Sequence, residues 1–159
     1  MAGDVFAPPA PSRSPDRRSR AGRRGGLRRR RSRLRRRSQP PADEAVLCRA
    51  LHDALPRSVA GQERRDPEPA SELTAGWGDA AIVLRCGVPR PERMSDPQAQ
   101  GIEVDGVGWM LEEREEGPRF TTTYRRTYVE VTLDRRYLHD ASPLTDLAGP
   151  VAEAVPSAL

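Results

Sequence analysis

Few side chains in this sequence have the type and spacing that chemistry needs. Two cysteines, Cys48 and Cys86, stand 38 residues apart. Two sulfurs cannot make a four-ligand zinc site, so they form either one disulfide or two buried thiols. The two histidines are His52 and His139. His52 precedes Asp53, but adjacent helical residues do not face each other, so the pair reads as surface or half-buried rather than catalytic. Glu112, Glu113, Glu115 and Glu116 lack calcium-loop spacing and read as a solvated tip. Gly106 and Gly108 lack the third glycine and following helix of a dinucleotide fingerprint. Asp79, Asp105 and Glu130 would serve a hydrolase only if two of them converged in one pocket. No Ser-His-Asp grouping, metal cluster or phosphate loop is legible, so no catalytic, cofactor-binding or metal-ligating residue is assigned and no cofactor is expected. Trp77, Asp79 and Arg85 remain as a candidate ligand or partner surface. Trp77 reads first as a core or lid aromatic, and Asp79 as a turn cap.

The elements that must position these residues are organised around Gly76–Pro89. Ala80, Ala81, Ile82, Val83, Leu84 and Cys86 are apolar there, and Gly and Pro punctuate both ends. This predicts a strand over Ala80–Cys86, buried on both faces in the middle of a sheet. Before it, Leu47, Leu51 and Leu55 recur at helical spacing over Asp43–Leu55, with Cys48 on the same stripe and Pro56 as the stop. Residues 62–72 read as a polar connection broken by Pro67 and Pro69. After it, Asp105-Gly106 predicts a hairpin between Ile102–Val104 and Val107–Leu111. Phe120–Tyr124 and Tyr128–Leu133 alternate as half-exposed antiparallel strands, with Val129, Val131 and Leu133 inward. Ser142-Pro143 starts a last helix carrying Leu144, Leu147, Val151 and Val155, with an interruption or kink expected at Gly149-Pro150. The fold class is α+β: an antiparallel or mixed sheet of four to five strands, covered on one face by the first and last helices.

Charge divides the chain in two. Residues 1–41 carry 14 Arg against Asp4 and Asp16, while residues 42–159 carry 13 Arg against 21 Asp and Glu. The chain contains no Lys, which points to a GC-rich genome and makes Arg uninformative as a choice of cation. Residues 1–41 are too poor in apolar side chains to offset the entropy of ordering, so a disordered tail is expected ahead of a single domain over 42–159. The tail has three readings. It is a solvated extension, an arm that binds nucleic acid or anionic lipid without sequence preference, or a stretch that is not the biological start, its Arg codons being a shifted frame of an Ala- and Leu-rich anchor. No stretch approaches the roughly 18 apolar residues of a membrane span.

Several runs are specific enough to resemble a family. They are Trp77-Gly78-Asp79, Ala81–Pro91, Glu103–Val107 with Trp109, Arg119–Thr122, Tyr128–Thr132 and Asp146-Leu147-Ala148. They resemble an actinobacterial domain-of-unknown-function family, number three-five-one-five. Ala80 stands where many members would carry Pro. The resemblance implies a small envelope protein with an N-terminal hydrophobic anchor or lipoprotein signal and this domain outside the membrane. The Arg-rich residues 1–41 depart from that pattern. No activity and no catalytic residue come with it. An oxidising location implies in turn that Cys48 and Cys86 pair, tying the first helix to the central strand. A Cα separation beyond about 7 Å would forbid that pairing. The resemblance favours a non-catalytic module that binds an envelope protein or cell-wall component. The alternatives are a nucleic-acid-associated protein using residues 1–41, and the hydrolase with dispersed carboxylates.

Overall fold

The structure is a computed structural model that describes residues 39–159. The expectations for the Arg-rich tail fall almost wholly on residues 1–38 and lie outside the described residues. Helix α1 spans Ala42–Ala54. Its first turn holds Asp43 and Glu44 against the positive end of the helix dipole, and the chain turns extended at Leu55 before Pro56. Cys48, Leu51 and Leu55 are buried along its inner stripe. A two-stranded ribbon follows, β1 (Ser58–Val59) and β2 (Gln62–Glu63).

The main sheet contains β3 (Thr74–Trp77), β4 (Ile82–Val88), β5 (Gln100–Val104), β6 (Val107–Glu112), β7 (Arg119–Thr122) and β8 (Tyr128–Leu133). Helix α2 (Pro143–Ala154) closes the chain. The strand order is β3-β4-β8-β7-β6-β5, antiparallel throughout. The class is therefore α+β as expected, but the sheet has six strands rather than four or five, and the ribbon is additional. Part of the polar connection 62–72 is strand β2.

The central segment is an interior strand, flanked by β3 and β8. It begins at Ile82, because Ala80 and Ala81 belong to the turn and Ala80 has a positive φ of 56°. Only one face is sealed. Ile82, Leu84 and Cys86 are buried while Arg85 between them is exposed, so burial on both faces is corrected to burial on one. The buried face runs through Trp77, Trp109, Phe120, Val129, Val131 and Leu133 and packs in one core with Leu51 of α1 and Leu144, Leu147 and Val151 of α2. Helix α2 runs unbroken through Pro150 rather than stopping there. The Asp146 carboxylate accepts a hydrogen bond from the Ala60 N–H at 2.8 Å, fastening α2 to the ribbon turn.

Cys48 and Cys86 are joined in a disulfide, with Cα atoms 5.5 Å apart. It fixes α1 to β4. Glu44 adds a second tie by accepting from the Thr127 hydroxyl at 2.6 Å. The hairpin at Asp105-Gly106 forms as the sequence predicts. Val104 pairs with Val107, and both loop residues have positive φ, 47° and 77°, which Gly adopts without strain and Asp tolerates.

Candidate functional site

The helices cover only one side of the sheet, which leaves the other side to polar residues. Strand alternation puts Arg85, Glu130, Thr121, Met110 and Gly101 there, in register across five neighbouring strands. Arg119 and Glu112, themselves paired across β7 and β6, form the next row. Glu130 lies between two guanidinium groups. Arg85 Nη1 is 3.5 Å from its Oε1, and Arg119 Nη1 is 3.6 Å from its Oε2. Arg119 Nη1 is also 3.8 Å from Glu112 Oε2. Flanking arginines explain how Glu130 is held with a side chain only 11% exposed.

This patch is incompletely satisfied. Thr121 Oγ1, Glu112 Oε2 and Arg119 Nε are buried without a hydrogen-bond partner. Each such group costs about 1–3 kcal/mol when left unpaired. All three lie on the neighbouring strands β6 and β7 and are shielded from solvent. Glu130 and Glu112 face arginines, and Thr121, opposite Glu130, supplies a hydroxyl. The arrangement can bind and orient.

The sheet's connectivity shapes what lies beside the patch. The chain must cross from β4 to the far edge strand β5, and residues 89–99 make that crossing over the polar face, with a short 3-10 turn at Glu92–Ser95. Between this crossover and the sheet is a cleft of about 380 Å³, lined by Arg90, Met94, Met110, Arg125 and Tyr128 among others. On the helix side of the same edge, a groove of about 590 Å³ lies between Ile102, Leu111 and Phe120 of the sheet and Leu138 and Ala141 before α2.

A family model described as "Protein of unknown function (DUF3515)" matches residues 26–159. The chain belongs to this family. No curated protein and no solved structure matches it. The matched stretch includes every described residue of the DUF3515 domain, both faces of its sheet and both helices.

The DUF3515 domain places the sequence-predicted residues as follows. Trp77 is fully buried, and its Nε1–H donates to the Pro56 carbonyl at 3.1 Å, so it presents no surface to a ligand. Asp79 sits exposed in the β3–β4 turn, paired with Arg65. Arg85 stands on the open face against Glu130. Asp79 and Asp105 occupy hairpin turns at opposite ends of the sheet, and Glu130 lies mid-strand, so the three do not meet in one pocket. Among the described residues no cluster of three metal-ligating side chains occurs, and no helix is long and apolar enough to cross a membrane. The sequence reading missed Arg119 and Thr121, and it put Glu112 in a solvated tip, whereas Glu112 ends β6 opposite Arg119 with its side chain only 18% exposed. Their signal was the polar half of each alternating strand, but alternation does not say which outward residues become neighbours.

His52 does find a carboxylate in the DUF3515 domain, and it is Asp66 rather than Asp53. Arg64 is central to that cluster. Its Nε donates to Asp66 Oδ1 at 3.0 Å and its Nη2 to His52 Nε2 at 2.9 Å, and its guanidinium lies 6.0 Å from the Trp77 ring centre. Arginine can only donate, so His52 Nε2 is the acceptor here. Asp66 also accepts from the Gly76 N–H at 3.2 Å. Burial pushes the Asp66 carboxyl up, but the hydrogen bonds from Arg64 and Gly76 and the charge of Arg64 outweigh it, leaving it below the ordinary value of 3.8. A lowered folded-state value means the carboxylate stabilises the fold above the ordinary value and loses that effect as pH falls through the folded one. Asp66→Asn should therefore lower stability at neutral pH and flatten the decline of stability below about pH 4. Urea unfolding across that range checks this, and parallel curves for the two proteins would refute it.

Proposed function

We propose that this domain is a non-catalytic binding module of an actinobacterial cell envelope, working outside the membrane and engaging a protein or cell-wall partner. The observation that carries the binding reading is the cleft between the crossover and the polar sheet face, where the guanidinium groups of Arg90 and Arg125 are held by neutral acceptors. The location is supported by the Cys48–Cys86 disulfide, since such bonds persist mainly in oxidising compartments. Fractionation of native cells, with intact-mass analysis before and after thiol alkylation, tests it. The expected result is an envelope fraction whose protein takes up no alkyl group until reduced. A cytosolic fraction with two alkylated thiols would overturn the location.

The charge of residues 1–41 favours one other reading, a nucleic-acid-associated protein. Fourteen arginines against two aspartates would give strongly salt-dependent binding to DNA. A gel shift at low salt that vanishes on deleting residues 1–41 would support it, and no shift at low salt would remove it.

A further inference from the structure

The two edges of the main sheet are treated differently. Beyond β3 runs the segment 63–65. Arg65 N–H donates to the Gly76 carbonyl at 2.7 Å, Gly78 N–H to the Glu63 carbonyl at 2.9 Å, and Arg64 bridges Trp77. That edge is closed. Strand β5 at the other edge pairs only with β6 among the described residues. In a two-residue hairpin the residues flanking the loop exchange both backbone hydrogen bonds, and the pattern then alternates. Val104, Ile102 and Gln100 thus bond inward to β6. Gly101 and Glu103 turn their N–H and C=O groups outward, with no partner among the described residues.

Both clefts described above open along this same edge. On the polar face, Gly101 lies beside Met110 on the floor of the crossover cleft, which also holds Arg90 and Arg125. Those guanidiniums are fixed in place by neutral acceptors. Arg125 donates to the carbonyls of Val155 at 2.9 Å and Gly106 at 3.4 Å, and Arg90 to the Ser95 hydroxyl at 2.7 Å. Neither pairs with a carboxylate among the described residues, although Asp96 lies on the cleft wall. On the helix face, Ile102, Leu111 and Phe120 form the apolar part of a groove that Glu113, Arg114, Glu115, His139 and Asp140 also line. An added strand would send alternate side chains to the two sides, one set to the arginines and the other to the apolar groove.

We propose that β5 is a strand-addition site for an extended peptide whose side chains alternate acidic and apolar. Main-chain bonds to Gly101 and Glu103 supply affinity, Arg125 and Arg90 take the acidic side chains, and the Ile102–Leu111–Phe120 groove takes the apolar ones. The proposal rests on the binding reading and names the partner's chemistry. Cell fractionation decides the compartment, whereas the titration below decides the partner, so either can fail alone.

The test uses the full oxidised chain and two fluorescein-labelled nonapeptides, one alternating Glu and Val, the other Lys and Val. The Glu/Val peptide should bind and the Lys/Val peptide bind at least about tenfold more weakly, a gap narrowed by Arg125→Gln and closed when Arg90→Gln is added. Glu103→Pro deletes an outward N–H while leaving the inward bonds of β5 intact. It should weaken Glu/Val binding about fivefold or more, even though it removes a negative charge that opposes the peptide. In the unmodified chain, amide exchange supplies a readout independent of that variant's folding. Bound peptide should slow exchange at Gly101 and Glu103 and leave Ile102, already protected, unchanged. Equal binding of both peptides, no binding at millimolar peptide, or unaltered exchange at Gly101 and Glu103 would overturn the proposal. So would sedimentation of the chain alone as a dimer that Glu103→Pro dissolves, because a second copy would then be the strand that fills the edge.

Discussion

Removing the Cys48–Cys86 disulfide should lower the free energy of unfolding by about 4 kcal/mol. The bond closes a loop with a sequence separation of 38, and a cross-link over that length restricts the unfolded chain by about this amount in the chain-entropy description. For a domain of this size, the melting temperature should fall by roughly 15 °C. The comparison is between the oxidised chain and the double variant Cys48→Ala, Cys86→Ala, by thermal and urea unfolding. Both sulfurs are buried, so alanine avoids the orphaned hydroxyls that serine would place in the core. The effect should concentrate on α1. Besides its packing against α2 and the sheet, that helix is held by the Glu44–Thr127 hydrogen bond, by Arg64 on His52, and by Arg49–Glu72, an exposed ion pair worth little. Amide exchange in α1 should accelerate first, ahead of global unfolding. A loss below about 1 kcal/mol would show that α1 is anchored by its apolar stripe and hydrogen bonds without need of the cross-link.

The same helix shows what the sequence made legible. Leucines at four-residue intervals and a proline stop located it as residues 43–55, within a residue of Ala42–Ala54 at each end, and put Cys48 on the buried stripe. Asp105-Gly106 located a hairpin because few residue pairs adopt positive φ twice in succession. Tyr128–Leu133 was legible because six residues are enough to display a period of two. The strands that were missed are those that carry no period. Ser58–Val59 and Gln62–Glu63 have two residues each, and Thr74–Trp77 offers two small residues and one aromatic. Gly76 belongs to the strand for a reason visible only in three dimensions. A Cβ there would lie 2.7 Å from the Arg65 carbonyl oxygen of the segment that seals the edge. The candidate site was less legible than the fold. Arg85 and Glu130 were each singled out, but their meeting depends on β8 pairing with β4, a contact across 45 residues that no local pattern announces. The free edge at β5 depends likewise on the order of all six strands.

Trp77→Ala should destabilise the domain by about 3–5 kcal/mol, and this decides between the two roles the sequence left for that ring. A ring kept for stacking on a ligand would sit at a surface and be cheap to truncate. Trp77 instead has no exposed area and packs in the core with Ile82, its register partner on β4. Its removal would also leave the Pro56 carbonyl without the indole N–H and take the aromatic face from beneath Arg64. Arg64 holds both Asp66 and His52, so damage should spread along the segment that closes the β3 edge. Trp77→Phe separates these contributions. It keeps most of the buried ring and should cost less than Trp77→Ala, the remainder being lost volume and the unpaired carbonyl. Urea unfolding of the three proteins gives the ordering, and peptide titration of Trp77→Phe supplies the functional control. That variant should bind the Glu/Val peptide as the native chain does, because β5 lies at the opposite edge of the sheet. Native stability in Trp77→Ala, or lost peptide binding in a stably folded Trp77→Phe, would show that the ring acts at a surface after all.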